Sequence, residues 1–234
     1  MLNKYPGLFS DGVGTIAGPK VRIHVSADAQ PLFHKTRTVP YVMRSMTECE
    51  LDHLQSEVII SPVEYADWAA PIVPILKPHG TVRICGDHKK MINRYSKLDG
   101  CTFLKAEDLF TPLMGGQTFT KLDLTNAYAQ MELDDDPKLY TYINTHRDLS
   151  MCNRFPFGIR SAAPISQCKM EILLKTVRKT VVFQDNILVT GKSQHEHLEN
   201  GNEVLNRLSQ AGLLLRHEKC TWMARKVEYL GHQI

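Results

Sequence analysis

A chain of 234 residues with 43% hydrophobic and 23% charged residues has room for one large domain or two small ones and an ordinary globular composition. A net charge of +3 does not by itself announce a nucleic-acid partner, and six cysteines without a CxxC pair argue against a disulfide framework or a zinc site. The longest apolar run, Ala69 to Leu76, holds two prolines, and the start lacks the apolar stretch of a signal peptide, so a soluble intracellular protein is expected.

Residues 1–40, rich in Gly and Pro, read as an extended leader with one alternating strand candidate at Val21, Ile23 and Val25. Thr47 followed by Glu50 has the form of a capping box and predicts a helix carrying Leu51, Leu54 and Val58, ended by Ser61-Pro62. Two strand-like runs follow, Ile72 to Leu76 and Thr81 to Cys85, joined by the turn Lys77-Pro78-His79-Gly80. From Lys77 to Lys105 seven basic residues stand against Asp87 and Asp99, a cluster suited to phosphate, although a solvated face explains charge alone. Thr118 to Leu124 alternates as a strand, and Asn126 to Met131 is expected to be a short helix. A further helix is expected over 161–178, then a tight hairpin over Thr180 to Thr190 interrupted by Gln184-Asp185-Asn186. Ser193 and Glu196 form a second capping box before a helix with Leu198, Val204, Leu205, Leu208 and Ala211 that stops at Gly212. A last strand pair is expected around Leu213 to Leu215 and Val227 to Leu230. This order describes an α+β fold with helices on one face of an antiparallel sheet.

Three motifs fail their context. Gly12-Val13-Gly14-Thr15-Ile16-Ala17 resembles a dinucleotide fingerprint, but no strand precedes it and Gly18-Pro19 stands where a helix should begin. Gly191-Lys192-Ser193 looks like the end of a phosphate loop, yet the first glycine would fall at Asn186, so it reads as a strand end leading into a helix cap. His195 and His197, two apart on a helix, face different ways and read as solvated polar residues rather than a metal pair.

Two acidic positions survive. Asp123 ends a strand, and Asp185 sits at a hairpin tip. Alone, each has a structural explanation, since Asp caps helices and favours turns. Together, two carboxylates on adjacent strands can share a pair of Mg²⁺ ions for in-line phosphoryl transfer, and hard oxygen ligands suit that ion.

The stretches Trp68-Ala69-Ala70-Pro71-Ile72-Val73-Pro74, Gly80-Thr81-Val82-Arg83-Ile84-Cys85-Gly86-Asp87, Phe119-Thr120-Lys121-Leu122-Asp123-Leu124, Phe155-Pro156-Phe157-Gly158, Ile187-Leu188-Val189-Thr190-Gly191 and Glu228-Tyr229-Leu230-Gly231-His232 resemble, in that order, reverse transcriptases of gypsy-type LTR retrotransposons. The resemblance covers nearly the whole chain. It implies a fingers-and-palm fold without a thumb: a leader at 1–40, fingers at 41–110 and 136–158, palm at 111–135 and from 159 through a primer grip to 234. Asp123 and Asp185 would be metal ligands for Mg²⁺, with Mn²⁺ as a substitute, and Asn186 and Lys219 would complete the catalytic set. Lys77 and Arg83 would contact the incoming triphosphate, and Asn126, Ala127 and Tyr128 would line the nucleotide pocket, Tyr128 guarding against a ribose 2′-hydroxyl. Phe157 and Gly158 would lie near the nascent base pair, Gln167 near the template, and Tyr229, Leu230, Gly231 and His232 in the primer grip. The implied partners are an RNA/DNA primer–template and deoxynucleoside triphosphates, in the cytoplasm (in a retroelement particle) or the nucleus, with no membrane and with homodimerisation left open.

Departures from the family pattern point to impairment. Phe183-Gln184-Asp185-Asn186 stands where the family has aromatic-x-Asp-Asp, so one negative charge is missing beside two dications. In Ser161-Ala162-Ala163-Pro164-Ile165-Ser166-Gln167 the proline is displaced and Ser166 replaces an apolar residue, and Gly201 falls inside a helix. The primary expectation is an RNA-directed DNA polymerase with reduced activity; the alternative is a non-catalytic nucleic-acid-binding or interaction module.

Overall fold

The computed structural model describes residues 4–78, 80–97 and 109–234; His79, Asp99, Cys101 and Lys105 of the features above lie outside them. In chain order the elements are α1 (Tyr41–Ser56), β1 (Ile60–Val63), β2 (Ala70–Leu76), β3 (Val82–Gly86), α2 (Ile92–Tyr95), β4 (Thr118–Asp123), α3 (Asp135–Lys138), β5 (Ile143–Asn144), β6 (Leu149–Cys152), α4 (Ala162–Leu174), β7 (Thr180–Phe183), β8 (Asn186–Gly191), α5 (Gln194–Gln210), β9 (Thr221–Ala224), β10 (Glu228–Tyr229) and β11 (His232–Gln233). They fall into two compact units, one of Met1–Ala17, Cys101–Gln130 and Pro164–Ile234, the other of Gly18–Gly100 and Met131–Ala163.

The second unit is built on a five-stranded sheet in the order β1-β6-β5-β2-β3. It is antiparallel except where β2 and β5 run parallel. The β2–β3 hairpin pairs Leu76 with Val82, and Lys77 N–H closes its turn on Thr81 O at 2.7 Å. Helix α1 begins six residues before the expected capping box, directly after Pro40. Thr47 is an interior residue whose hydroxyl donates to Met43 O at 2.7 Å, the bond Thr makes inside a helix rather than at its start. Trp68, Ala70 and Met91 form one buried cluster, with Tyr95 and Tyr140 edge-on to the indole.

The first unit carries a four-stranded antiparallel sheet, β7-β8-β4-β9, whose period-two alternation divides two apolar layers. Leu122, Val182, Ile187 and Val189 pack against Met170 and Leu174 of α4 and Val204, Leu205 and Leu208 of α5. Phe119, Val181 and Leu188 point the other way, onto Leu109, Leu113, Val227 and Tyr229. Leu8 of the leader is 1% exposed within the helix-side layer. Burying each such Leu or Ile contributes roughly 1.5–3 kcal/mol.

Helix α5 starts as its capping box predicts, Ser193 Oγ accepting from Glu196 N–H and Glu196 accepting from Lys192 N–H at 2.7 Å. A Cβ on Gly191 would stand 2.4 Å from His197 N, so the strand-to-helix junction requires glycine there.

Four other expectations are corrected. Residues 126–131 form a turn rather than a helix, because Asn126 adopts a left-handed φ of 43°. The helix expected over 161–178 stops at Leu174. Leu213 to Leu215 contributes only a bridge from Leu215 to Leu124, while the fourth strand is Thr221–Ala224 and Val227 to Leu230 leads into the separate β10–β11 hairpin. His197 is fully buried rather than solvated. It bonds Thr118 O at 2.8 Å through Nδ1 and Thr120 Oγ1 at 2.8 Å through Nε2.

Candidate active site

Strand β4 is central, and its last residue is Asp123. Pairing with β8 sets Asp123 opposite Asn186, and the ladder continues one residue further, Leu124 N–H donating to Asp185 O at 2.8 Å. On the other side Arg216 N–H donates to Asp123 O at 2.9 Å. Asp123 therefore ends one strand of the sheet, and Asp185 lies in the turn that leads into the neighbouring strand. Burial pushes the Asp123 carboxyl up; the Lys219 ammonium opposes that, Asp185 adds to it, and Arg216 and Lys121 oppose it. Lys219 is thus an electrostatic neighbour of Asp123.

The β7–β8 hairpin turns on two residues, Gln184 and Asp185, between the paired Phe183 and Asn186. Gln184 holds a φ of 56° at the first position, where glycine is usual in this kind of turn, so the loop is locally strained. Gln167 of α4 braces it. Its Oε1 accepts from Gln184 N–H at 2.7 Å, and its Nε2 donates to Val182 O at 2.8 Å and to Glu171 Oε1 at 2.6 Å. At 2% exposure, Gln167 has its amide occupied by the hairpin backbone and by Glu171. Asn186 Nδ2 donates to Asp185 Oδ1 at 3.1 Å.

Tyr229 is buried and its hydroxyl pushed well above the usual phenol range by that burial; among the described residues it has no hydrogen-bond partner. Leu230 and Gly231, at φ 53° and 75°, form the β10–β11 turn, and the His232 ring meets Phe110 edge-on with centroids 5.4 Å apart. Lys121 Nζ donates to Glu228 O at 3.2 Å. A cleft of about 300 Å³ is lined by Lys121, Asn186 and Glu228 through Gly231, so the hairpin and the expected primer-grip turn share one opening.

In the second unit the Arg83 guanidinium lies 4.5 Å from the centroid of the Phe157 ring. Gly158 has a φ of 101°, and a Cβ there would stand 2.1 Å from Gly86 O, so only glycine fits. Gly86 N–H donates to Phe157 O at 3.2 Å, and Asn93 Nδ2 to Gly158 O at 2.8 Å. Asn93, which the motifs did not single out, is thus the clamp on this turn. Glu50 carries a carboxyl raised by burial and held down by Lys77, His53 and Arg83.

The donor set fits a hard divalent cation, since Asp123 and Asp185 offer carboxylate oxygens whose mutual repulsion a cation would relieve. Among the described residues no three His, Cys, Asp or Glu side chains stand together as a metal site.

A family model described as reverse transcriptase (RNA-dependent DNA polymerase) matches residues 58–234. The uncharacterized protein K02A2.6 of Caenorhabditis elegans is 33% identical over 231 residues, 98% of this chain and 18% of that protein. The transposon Tf2-7 polyprotein of Schizosaccharomyces pombe is 29% identical over 168 residues, 71% of this chain and 12% of the polyprotein. The chain thus spans less than a fifth of the length of these relatives. A foamy viral protease-reverse transcriptase solved with double-stranded DNA superposes with a TM-score of 0.91 at 21% identity, over all of this chain and 41% of that one. A second foamy viral structure, with an RNA/DNA hybrid, gives 0.89 at 21% identity, over all of this chain and 32% of that one. The chain belongs to the reverse transcriptase family and has its α+β fingers-and-palm fold.

Proposed function

We propose that this chain is the polymerase part of a gypsy-type retrotransposon reverse transcriptase, with the first unit as palm and the second as fingers, and that it performs RNA-directed DNA synthesis at reduced efficiency. The observation that carries the reading is the β4–β8 register, which sets the end of Asp123's strand against the turn that holds Asp185, with Lys219 an electrostatic neighbour of Asp123. Asp123 and Asp185 would hold Mg²⁺, which when bound would supply activation of the primer 3′-hydroxyl and neutralisation of the leaving pyrophosphate. Lys219 delivers a proton to the pyrophosphate oxygen. Lys77 and Arg83 bind the triphosphate, where fixed cations stabilise developing charge. Asn126, Ala127 and Tyr128 line the pocket, the Tyr128 ring excluding a 2′-hydroxyl, and Phe157 and Gly158 support the nascent pair. Tyr229, Leu230, Gly231 and His232 hold the primer end. Nucleic-acid partnership is supported by the foamy viral relatives of the fold, whose structures contain double-stranded DNA and an RNA/DNA hybrid.

One observation favours a second reading, a nucleic-acid-binding module without chemistry. Asn186 removes a charge and engages Asp185 through its amide, weakening the donor set. Primer extension on an RNA template, in Mg²⁺ and then Mn²⁺, with the unmodified chain beside Asn186→Asp, separates the two. Extension by the unmodified chain supports the polymerase. Extension only by the Asp version assigns the loss to Asn186. Primer–template binding without extension by either version favours the binder.

A further inference from the structure

The sequence motifs assign no role to Gln130, yet it is 0% exposed and its amide is engaged at both ends. Nε2 donates to Thr125 O at 2.5 Å and to Leu214 O at 3.0 Å, while Oε1 accepts from Leu214 N–H at 2.7 Å. A carbonyl can only accept and an N–H can only donate, so one orientation of the amide satisfies all three bonds and the flipped one loses them all. Thr125 N–H also donates to Leu214 O at 3.0 Å. Thr125 and Gln130 are the two ends of the turn that carries Asn126, Ala127 and Tyr128, and both are fastened to one residue, Leu214.

Asn126 sits in the left-handed region, and one main-chain bond, Ala129 N–H to Asn126 O at 2.7 Å, closes the turn from within. The clasp also reaches the leader. Gln130 O accepts from Ile16 N–H at 2.8 Å, and a Cβ on Gly14 would stand 2.5 Å from Gln130 Oε1. Position 14 must therefore stay without a side chain while Gln130 keeps this pose. The glycine motif discarded as a cofactor site has this close approach as its structural reason.

We propose that Gln130 is a positioning residue that sets the Asn126–Tyr128 turn and, through it, discrimination between deoxyribo- and ribonucleoside triphosphates. The inference rests on the reading of that turn as the nucleotide pocket. An apolar side chain at 130 would fill the space but remove the three side-chain bonds to Thr125 O and Leu214, leaving the main-chain bonds Thr125–Leu214 and Ile16–Gln130 to hold the turn; small misplacements of a guarding ring are enough to admit a 2′-hydroxyl.

The test is a titration of ternary complexes on a dideoxy-terminated primer and RNA template in Mg²⁺. The affinities for the matching deoxy- and ribonucleotide are compared in the unmodified chain, Gln130→Met and Gln130→Glu. The Glu variant keeps the acceptor for Leu214 N–H and loses the donors. Both variants are expected to lose about fivefold or more of the deoxy preference, mainly by gaining ribonucleotide affinity. Unchanged preference in folded variants overturns the proposal and leaves Gln130 as a core polar residue. If the unmodified chain binds nucleotide without preference, or not at all, the pocket reading falls and the proposal with it. Hydrogen exchange at the Leu214 amide of the unmodified chain, which donates to Gln130 Oε1, tests the clasp without any substitution; rapid exchange there overturns it.

Discussion

The two carboxylates are held by different means. Asp123 closes a strand with neighbours on both sides, and its backbone position is set by main-chain bonds from Arg216 on one flank and, through Leu124, to Asp185 on the other. Asp185 lies on a two-residue loop at the end of a hairpin whose outer strand, β7, is the edge of the sheet. An edge strand presents unpaired backbone groups, and here Val182 O and Gln184 N–H meet the Gln167 amide in place of a further strand. Asp123 is therefore fixed by the sheet itself, and the Asp185 turn by one main-chain bond together with the Gln167 side chain.

If that contrast is right, removing either carboxylate is equivalent, and removing a support is not. Asp123→Asn and Asp185→Asn should each reduce primer extension by at least about 10²–10³-fold, measured as single-nucleotide incorporation beside an unmodified or Asn186→Asp background. Gln167→Met should lower Mn²⁺ affinity, read by electron paramagnetic resonance, by about 10–100-fold, with primer–template affinity changed less than about twofold. A fall in template affinity with Mn²⁺ binding intact would instead return Gln167 to the template contact its motif implies.

The central strand has its own buried support in His197, which joins Thr118 and Thr120 of β4 to α5. His197→Ala should destabilise the chain by about 1–3 kcal/mol in denaturant unfolding. His195→Ala, two residues away, should stay within about 0.5 kcal/mol, because His195 is exposed and meets only Glu199 on its own helix. Equal effects would show that burial of the second histidine contributes nothing.

Acid should expose a further difference, between buried histidines. His88 is fully buried, neither ring nitrogen has a hydrogen-bond partner among the described residues, and burial pushes it down to about 4 from 6.5. His197 is also lowered, chiefly by burial. A histidine depressed in the folded state lets the unfolded chain take up a proton first, so stability falls as pH drops below the unfolded value. For His88 the window is 6.5 down to about 4, with a slope of up to about 1.4 kcal/mol per pH unit. His88→Leu should flatten that part of a melting-temperature profile, and an unchanged profile would refute the assignment.

Several elements were legible before any coordinates. Alternation in Thr118 to Leu124 and Thr180 to Thr190 marked the strand that ends in Asp123 and the hairpin that turns at Asp185, and Ser193 with Glu196 marked the start of α5, because strand period and capping are local properties of adjacent residues. The Thr47 box failed because the same residue types also bond backward inside a helix, and which bond forms depends on where the helix begins. The helix expected after Asp123 failed because Asn126 takes a left-handed φ, and the Gln130 side chain, bonded to Leu214 far away in sequence, fastens the end of the resulting turn.

What the sequence by itself determined is the chemistry available: two acids at strand ends, the amide at 186, the glycines where backbones approach, and the family to which their order belongs. Tertiary structure alone decided which polar residues became internal supports. Gln130, Gln167 and His197 look like surface residues in their local sequence, and each is buried because a backbone group from elsewhere in the chain completes its hydrogen bonds. A buried polar group is tolerated only when its partners are met, and those partners are brought to it by the fold, not by its neighbours in sequence.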